Sequence, residues 1–397
     1  MPNAVIVDAV RTAGGKRYGK LSGWHSADLA AEVLSALITR TDLDPALVED
    51  VIMGCVMQVG NQSVNVGRSA VLAAGWPDSV PATTIDRQCG SSQQAAHFGA
   101  QGVMAGAYDI VVAAGVEVMS TTPMGASVTP GSFPMGPKVM ERYAPRGGVV
   151  MQGTSAELIA AKWGLTREDL DAYAVQSHQR ATTARDEGRF DNEIIPVKEK
   201  RFDRETGSVI ETDEMVTADE GIRPDSSMET LAKLKPAFDP ENGVVTAANS
   251  SQITDGASAM LIMNEDRAKE LGLKPRARFH SFAVTGVDPI EMLTGPIPAT
   301  AMVLKKAGMT LDQMDLIEIN EAFASVVLAW EKEYQPDMSK VNVNGGAIAL
   351  GHPLGCSGAK LMATLLNELE RTGGRFGLQT MCEGAGMANA TIIERLD

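Results

Sequence analysis

The chain has 397 residues, of which 44% are hydrophobic and 21% are charged, a profile typical of a globular protein rather than a disordered one. This length is too great for one ordinary hydrophobic core, so we expect two or three structural units. The formal net charge of −15 argues against nucleic acid as a partner, because neutralising phosphate requires a basic face.

The first third of the chain alternates short apolar strands with helices. The hydrophobic pattern predicts strands at residues 4–9, 51–54, 82–87 and 110–114, and helices at 26–39 and 90–106. Leu29, Val33 and Leu37 give the first helix a mostly apolar face. The second helix begins just after Cys89, so this cysteine is expected at a strand-to-helix turn.

The middle of the chain differs in composition and in hydrophobic periodicity. Residues 121–148 are rich in Pro, Gly, Met and Ser with little periodicity, which indicates a long excursion from the core. Helical patterns return at 155–163 and 167–187, the second with Thr166 as its expected N-cap. Residues 191–240 are charged and irregular, with a hairpin-like turn around Glu205-Thr206-Gly207.

The last third repeats the pattern of the first. Strands are predicted at 277–285, 316–319, 377–381 and 390–394, with helices at 299–307 and from the glycine-rich turn 351–358 toward Leu369. The spacing of Cys-Gly-Ser-Ser, helix and strand 110–115 is close to that of Gly-Cys-Ser-Gly, helix and strand 378–384. This similarity favours an internal duplication and predicts two similar α/β halves packed together.

The cysteines and the two ends of the sequence indicate the expected cellular compartment. Four widely separated cysteines suit free thiols in a reducing cytosol better than a disulfide framework. No apolar run approaches the roughly 20 residues that span a bilayer. The first residues do not resemble a secretory signal, and the last four are not a Ser-Lys-Leu address. No Cys-x-x-Cys pair or histidine cluster indicates a metal site. We therefore expect a cytoplasmic protein without membrane insertion or metal.

Two cysteines and one histidine lie in glycine-rich contexts that suit acyl-thioester chemistry. Cys89 occurs in Gln-Cys-Gly-Ser-Ser, His352 in Leu-Gly-His-Pro and Cys382 in Met-Cys-Glu-Gly. A helix N-terminus favours a thiolate, and a neutral imidazole can take the thiol proton. Taken alone, each residue also has a structural explanation, because free cysteines are commonly small core residues and single histidines are often structural.

Five motifs in order along the chain resemble those of the thiolases, acetyl-CoA C-acyltransferases and C-acetyltransferases. They are Val7-Asp8-Ala9 to Arg11-Thr12, Cys89-Gly90-Ser91, Asn320-Glu321-Ala322-Phe323-Ala324, residues 346–358, and Cys382-Glu383-Gly384. The resemblance covers essentially the full length. It implies an α/β, five-layered αβαβα fold built from two similar halves, with a loop domain inserted in the first. It also implies assembly as a homodimer or homotetramer.

The expected domain boundaries follow from this resemblance. The N-terminal half should comprise residues 1–120 and 249–270, and the C-terminal half residues 271–397. The loop domain, residues 121–248, should bind CoA and contribute to oligomerisation.

The resemblance also assigns roles to five catalytic residues. Cys89 should be the acylated nucleophile, and His352 should activate it and donate to the thioester carbonyl oxygen. Cys382 should exchange a proton with the α-carbon of acetyl-CoA; the reference pKa of a thiol, about 8.5, suits this role. Asn320 should hold a water that stabilises the enolate oxygen, although it could simply cap a helix. The backbone N–H groups of Cys89 and Gly384 should form a second oxyanion hole.

CoA is expected as a substrate rather than as a permanently bound cofactor. Residues 223–238 resemble the nucleotide-contacting loop of the family. The residues expected to contact CoA or its acyl group are Arg223 at the adenine or phosphates, Thr230 and Leu231 at the adenosine, Phe238, Ser251 at the pantetheine, and Met292 and Phe323 in the acyl pocket. Each of these could instead be a solvated loop residue or an ordinary core residue.

The subclass depends on one further motif. Acetoacetyl-CoA-forming members carry His-Met-Gly where this chain has Met151-Gln152-Gly153. The loss of that histidine favours a 3-ketoacyl-CoA thiolase of the degradative, fatty-acyl or sterol side-chain kind, acting in lipid β-oxidation. The alternatives are an acetyl-CoA acetyltransferase and a non-catalytic thiolase-like lipid carrier. A ketosynthase is disfavoured, because it would have His or Asn in place of Cys382.

Overall fold

The computed structural model describes residues 2–396, so positions 1 and 397, the outer limits of the two predicted halves, lie outside the described residues. The first part of the chain forms β1 (Ala4–Thr12), β2 (Gly15–Lys16), α1 (Ser26–Thr41), β3 (Asp50–Gly54), α2 (Val66–Ala73), β4 (Ala82–Ile85), α3 (Ser91–Ala105) and β5 (Ile110–Val118). The strands and helices predicted in this region are confirmed; the short strand β2 and helix α2 were not predicted.

The middle segment contains helices, a hairpin and one long strand. Its elements are α4 (Gly136–Tyr143), α5 (Gln152–Lys162), α6 (Arg167–Asp186), β6 (Ile194–Ile195), β7 (Val197–Phe202), β8 (Val209–Val216), α7 (Met228–Ala232), β9 (Thr254–Asn264) and α8 (Glu265–Glu270). Thr166 caps α6 as predicted, in a reciprocal capping box with Asp169. Strands β7 and β8 pair antiparallel on either side of the predicted turn.

The last part completes the fold. It contains β10 (Ala277–Gly286), α9 (Pro296–Ala307), β11 (Leu316–Ile319), α10 (Ala324–Tyr334), α11 (Ala347–Leu350), α12 (Ser357–Thr372), β12 (Phe376–Glu383) and β13 (Met387–Arg395). Helix α10 was not predicted, because its sequence, Ala-Ser-Val-Val-Leu-Ala-Trp, is buried over most of its surface and shows no amphipathic period.

The strand order reveals the predicted duplication. The main sheet runs β11-β12-β13-β10-β1-β9-β5-β3-β4, and its two arms meet where β1 and β10 pair antiparallel. In each arm the first strand lies at the centre of the sheet and parallel strands lie toward the edge. The last strand of the arm lies between them and pairs antiparallel with both neighbours. Thus β1, β3, β5 and β9 correspond to β10, β11, β12 and β13. An isolated bridge from Ile317 to Val341 takes the place of β4.

Helices separate and cover the two arms. Apolar residues of α1 and α2 pack on one face of the first arm, and those of α9 and α10 pack on one face of the second. Helices α3 and α12 lie between the arms, where Ala96, Ala100, Met362 and Leu366 pack with residues from both sheets. Helices α5 and α6 of the middle segment add their apolar residues to the second outer layer.

Candidate active site

The turn before α3 presents Cys89 at the N-terminus of that helix. Gln88 adopts a left-handed backbone conformation with φ of 49°, and the Ser91 hydroxyl donates to its carbonyl oxygen at 2.6 Å. Gly90 is required here, because a Cβ atom at this position would lie 2.1 Å from Glu383 Oε1. The turn therefore holds Cys89 in a fixed position where β4 passes into α3.

Three hydrogen-bond donors surround the Cys89 sulfur. They are the Gln152 side chain and the backbone N–H groups of Cys89 and Gly384, and all three favour the thiolate. Burial and the charge of Glu383 act in the opposite direction and raise the pKa of the Cys89 thiol to about 12. The resting Cys89 is therefore a thiol, with donors that would stabilise its thiolate already in place.

Cys382 is fully buried near the end of β12, opposite Ala388 of β13. Burial, followed by the charges of Cys89 and Glu383, raises the pKa of its thiol well above the usual value. The two strands are joined by a turn in which Ala385 has a φ of 63° and Gly386 a φ of 80°. Ala385 thus occupies a left-handed conformation that glycine adopts without strain.

His352 lies in the loop before α12, with its ring orientation fixed by Ser357. The Ser357 hydroxyl donates to the Pro353 carbonyl oxygen at 2.8 Å, so its oxygen accepts from His352 Nδ1–H at 2.5 Å. This leaves Nε2 unprotonated, 3.4 Å from the Asn320 side-chain amide nitrogen. Burial, and secondarily the charge of Lys360, lowers the pKa of His352 to about 3. The imidazole is neutral, and its Nε2 lone pair accepts from the Asn320 amide N–H.

Asn320 follows β11 and does not cap a helix. Its backbone N–H donates to the Thr380 carbonyl oxygen at 3.0 Å, and its side-chain oxygen is buried with no protein donor. The neighbouring Glu321 accepts hydrogen bonds from Tyr173, Ser177, Asn342 and the Ile348 backbone, which tie α6 of the middle segment to the segment that carries Asn320.

A buried carboxylate joins the loops from the two arms. Glu117, near the end of β5, accepts from the backbone N–H groups of Val56 (2.9 Å), Met57 (3.1 Å) and Gly355 (2.9 Å), and from the Gln62 side chain (2.6 Å). Gly355 belongs to the loop that carries His352, so Glu117 positions this loop against the first arm. The strand was predicted to end at residue 114, which left Glu117 unassigned.

The predicted catalytic residues form two groups. Cys89, Cys382 and Gly384 interact with one another, and Asn320 contacts His352. An apolar cluster that contains Cys89, Leu354 and Met381 joins the His352 loop to Cys89 and to the residue before Cys382.

The residues predicted to contact CoA are more dispersed. Leu231 is 6% exposed, and it packs with Met292 and Phe323 in the core of the second outer layer. Arg223 and Thr230 are exposed, and Thr230 forms a capping box with Ser227 at the start of α7. Ser251 is half-buried, and its backbone N–H donates to the Ala322 carbonyl oxygen at 2.9 Å. Burial of Leu231 makes its side chain a packing element of this region rather than an exposed contact surface.

Phe238 is an exposed aromatic residue that packs on the start of α5. Its ring is 42% exposed, stands edge-to-face with Phe323 at 5.9 Å, and packs so closely on Gly153 that a Cβ atom there would lie 2.2 Å away. Gly153 immediately follows Gln152, the donor to the Cys89 sulfur. This chain of contacts connects the surface of the middle segment with the nucleophile.

Gln152 is the functional candidate that the sequence analysis missed. The Met151-Gln152-Gly153 motif was interpreted only as the loss of a histidine, and the helix was predicted to begin at residue 155. The structure begins α5 one turn earlier, at Gln152. An amide beside a predicted nucleophile could have been found only by knowing where this helix starts.

Residues 2–396 contain neither a membrane-spanning helix nor a cluster of metal-ligating side chains. No helix within this range is long and apolar enough to cross a membrane. No group of three or more His, Cys, Asp or Glu side chains in the same range is arranged to hold a metal ion.

Comparison with known proteins gives full-length matches. Two family models match, one described as the thiolase N-terminal domain at residues 4–266 and the other as the thiolase C-terminal domain at residues 273–395. A Mycobacterium tuberculosis protein named steroid 3-ketoacyl-CoA thiolase FadA6 is 51% identical, and the alignment covers 100% of this chain and 95% of that protein. A Psychrobacter cryohalolentis protein named 3-ketoacyl-CoA thiolase is 47% identical, with coverage of 99% and 98%.

Comparison with solved structures also gives a full-length match. The crystal structure of the Bacillus anthracis acetyl-CoA acetyltransferase matches with a TM-score of 0.89 and 40% sequence identity. The match covers 100% of this chain and 99% of that one.

Proposed function

The chain belongs to the thiolase family, and on this premise we propose that it is a 3-ketoacyl-CoA thiolase that works through an acyl-cysteine intermediate. The reaction is the CoA-dependent cleavage of a 3-ketoacyl-CoA to acetyl-CoA and an acyl-CoA shortened by two carbons. The fold is the thiolase fold expected from the sequence motifs, and the protein is an acyltransferase.

The observation that carries the proposal is the pair of buried thiols, of which Cys89 has the more hydrogen-bond donors, together with a neutral His352 on the loop that packs near Cys89. Cys89 has three donors at its sulfur, whereas only its own backbone N–H stabilises the Cys382 thiolate. This difference supports Cys89 as the nucleophile and Cys382 as the proton carrier. A second thiol separates carbon–carbon cleavage from simple Cys–His acyl transfer, in which one thiol is enough.

The first half of the proposed reaction transfers the acyl group to the enzyme. The Cys89 sulfur attacks the 3-keto carbon while its proton passes to His352 Nε2, the nitrogen that the hydrogen-bond network leaves unprotonated. The backbone N–H groups of Cys89 and Gly384 hold the oxygen that becomes negative. The C2–C3 bond then breaks, and Cys382 donates its proton to C2 of the departing acetyl-CoA enolate.

The second half returns the enzyme to its resting state. The Cys382 thiolate takes the proton of an incoming CoA thiol, and the CoA sulfur attacks the acyl-Cys89 thioester. Cys89 leaves and recovers its proton from His352. The side-chain oxygen of Asn320, buried without a protein donor, supports a role in holding a water at the enolate oxygen.

We propose CoA as a substrate that approaches over the middle segment, with Arg223 at its anionic end and Phe238 along its path. The exposure of both residues supports this direction of approach. In this proposal Thr230 and Ser251 lie along the same route. The buried residues Leu231, Met292 and Phe323 pack beneath the surface that CoA would contact. The names of the M. tuberculosis and P. cryohalolentis relatives support degradation of fatty-acyl or sterol side chains.

One observation favours a second candidate. The B. anthracis structure, 40% identical, is described as an acetyl-CoA acetyltransferase, the enzyme that runs the same chemistry toward acetoacetyl-CoA. The absence of the His-Met-Gly motif at residues 151–153 favours the first candidate.

Thiolysis across a panel of 3-ketoacyl-CoAs tests the proposal. The panel should run from acetoacetyl-CoA through longer linear substrates to branched and sterol-derived ones, with Cys89→Ala as the blank. We expect cleavage of longer substrates at least as efficient as cleavage of acetoacetyl-CoA, and none in the blank. A sharp preference for acetoacetyl-CoA would select the acetyltransferase, and no cleavage of any substrate would leave only the lipid-carrier alternative.

We further propose that the protein is cytoplasmic and assembles as a homodimer or homotetramer. Strand β4 ends the sheet, and within residues 2–396 no strand pairs its outer side. The nearby Val64 is 90% exposed and has a φ of 53°, an unusual state for a β-branched residue. Light scattering of wild type and Val64→Asp tests this: we expect an oligomer that the variant weakens, and a wild-type monomer would contradict it.

A further inference from the structure

The glutamate that follows Cys382 has a buried carboxyl group with no assigned role. Glu383 is 0% exposed, and neither of its carboxyl oxygens receives a hydrogen bond from a protein group. Adjacent residues of a strand point to opposite faces, so Glu383 points away from the Cys382 side, toward the turn that carries Cys89.

The carboxyl group lies directly against this turn. Its Oε1 atom would be 2.1 Å from a Cβ atom on Gly90, and Asn389 Nδ2 would be 2.7 Å from the same point. Asn389 Nδ2 donates to the Gly90 carbonyl oxygen at 3.1 Å. Glu383 and Asn389 together therefore support the residue immediately after the nucleophile.

The arrangement favours the protonated acid. Both Glu383 oxygens and Asn389 Oδ1 are acceptors that no protein group satisfies, so the proton of a carboxylic acid is the donor available within this cluster. The charged and titratable groups that face Glu383 are Asp86, Arg87 and Cys89 on the turn and Cys382 on its own strand. Burial raises the pKa of Glu383 to about 8, against the opposing effect of Arg87.

We propose that Glu383 is a positioning residue that permits acylation of Cys89 only while it carries its own proton. As a neutral acid it leaves the three donors at the Cys89 sulfur unopposed. Once ionised, it places a negative charge beside both thiols and disfavours both thiolates. It transfers no proton to the substrate. The inference rests on the proposed role of Cys89, and it gives the enzyme an alkaline limit to activity.

This behaviour is the reverse of that of an ordinary cysteine nucleophile. A free thiol reacts faster as the pH rises, because more of it is thiolate. In this site the increase in Cys89 reactivity with pH is opposed, because loss of the Glu383 proton raises the pKa of Cys89.

Alkylation of Cys89 by iodoacetamide across pH 6 to 10, followed by peptide mass spectrometry, tests the inference in the intact protein. Glu383→Gln keeps the shape of the side chain and mimics the neutral acid. We expect equal alkylation rates at pH 7, and at pH 9 a rate in the variant roughly tenfold higher, the effect of removing a like charge from beside the sulfur. The alkaline fall in thiolysis that Glu383 causes should be absent in the variant, because the amide does not ionise in this range.

A merely structural role would lower the rates at all pH values without moving the profile. Glu211→Gln, an exposed carboxyl on β8, serves as the matched control. If Glu383→Gln does not fold, Arg87→Gln provides a second test: loss of the cation keeps Glu383 protonated to higher pH and should also raise the alkaline limit. Identical pH profiles in wild type and Glu383→Gln would overturn the inference. A shifted alkylation profile in a protein without thiolysis would instead count against the proposed reaction alone.

Discussion

At the scale of the residue, the two thiols of the site differ in their surroundings more than in their burial. Cys89 is 4% exposed and Cys382 is 0% exposed. Donors from three residues meet the first sulfur, whereas the only donor favouring the second thiolate is its own backbone N–H. A sulfur with prearranged donors suits formation of a thiolate nucleophile, and a sulfur without them suits holding a proton.

Cys382→Ser should separate the two halves of the chemistry. A serine hydroxyl is a far weaker acid than a thiol, so proton transfer to C2 should slow by roughly 10²–10⁴-fold, while Cys89 can still be acylated. The measurements are thiolysis of a 3-ketoacyl-CoA and, separately, single-turnover acylation of Cys89 by an acyl-CoA, read by peptide mass spectrometry, which needs no carbon–carbon step. Cys356→Ser, at a buried thiol outside the site, is the control. Normal thiolysis in Cys382→Ser would falsify the assigned proton transfer.

Gln152→Leu should weaken the nucleophile without removing it. A hydrogen bond to a charged group contributes about 1.5–3 kcal/mol, so its loss should slow Cys89 alkylation at neutral pH by roughly tenfold or more. The measurement is the alkylation rate of Cys89 in the presence and absence of an acyl-CoA. Gln179→Leu, on the exposed side of α6, should leave the rate unchanged. An unaltered rate in Gln152→Leu would show that the amide does not act on the sulfur.

Single residues were predictable where a motif marks them. Cys89, His352 and Cys382 stand in distinctive glycine-rich sequences, so their chemistry could be inferred before their positions were known. The roles of Gln152 and Glu383 could not, because they depend on where α5 begins and on which face of β12 each side chain lies. Neither property is determined by local sequence alone.

At the scale of the element, the site is built where two buried helices begin. Helices α3 and α12 start side by side, with Gly358 packed against Gln93 and the Ala359 backbone N–H donating to Ser92 Oγ at 2.9 Å. The loop before each helix carries one catalytic candidate, Cys89 or His352. Close packing of the two helix starts thus fixes the position of Cys89 relative to His352, the proposed nucleophile and base.

Gly358→Ala should disturb both stability and catalysis. The added methyl group would lie 2.1 Å from the Gln93 backbone nitrogen, so the helices must separate. Overpacking of this kind costs about 1–3 kcal/mol. Urea unfolding and thiolysis rates measure the two effects, and Thr372→Ala at the exposed end of the same helix should change stability by less than about 0.5 kcal/mol. A fully active, equally stable Gly358→Ala would contradict the close approach.

The strand that sequence reasoning missed is a central one. Strand β9 lies between β1 and β5, and nearly all its residues are buried. Its sequence, Thr-Asp-Gly-Ala-Ser-Ala-Met-Leu-Ile-Met-Asn, begins with small and polar residues because it runs beside the catalytic loops, where Asp255 accepts from Ser120. A strand buried on both faces shows no alternation, and its polar start hides it further.

At the scale of the whole molecule, the duplication explains how the site is formed. Corresponding helices α3 and α12 come from different arms, and Glu117 of the first arm holds the loop of the second. The repeated spacing in the sequence was sufficient to predict two similar halves. It could not reveal that the main sheet continues across both arms, because the pairing of β1 with β10 within residues 2–396 is short: Val5 pairs with Arg278 and Ile6 with Ala277.

The buried interface between the arms gives a pH-dependent term in stability. His97 of α3 is 0% exposed, contacts Thr391 Oγ1 at 2.7 Å, and burial lowers its pKa to about 3. The unfolded chain therefore takes up this proton first, so the contribution of His97 to stability is complete above about pH 6.5 and falls as the pH drops toward 3.

His97→Gln should remove this term while keeping a polar group near Thr391. Between pH 7 and pH 5 the penalty amounts to about 2 kcal/mol. The difference in unfolding free energy between variant and wild type should therefore shift by that amount in favour of the variant at pH 5, as measured by urea unfolding at both pH values. A shift below about 0.5 kcal/mol would mean that His97 is not buried as a neutral ring.

The complete burial of Cys382 has an isotopic consequence. A hydron taken from the methyl group of acetyl-CoA would reside on a sulfur shielded from bulk water. While substrate covers the site, wash-out into solvent should be slow compared with return to carbon. Deuterium should then return to the same α-carbon when this step reverses, and it should reach the solvent only after the sulfur of CoA has accepted it.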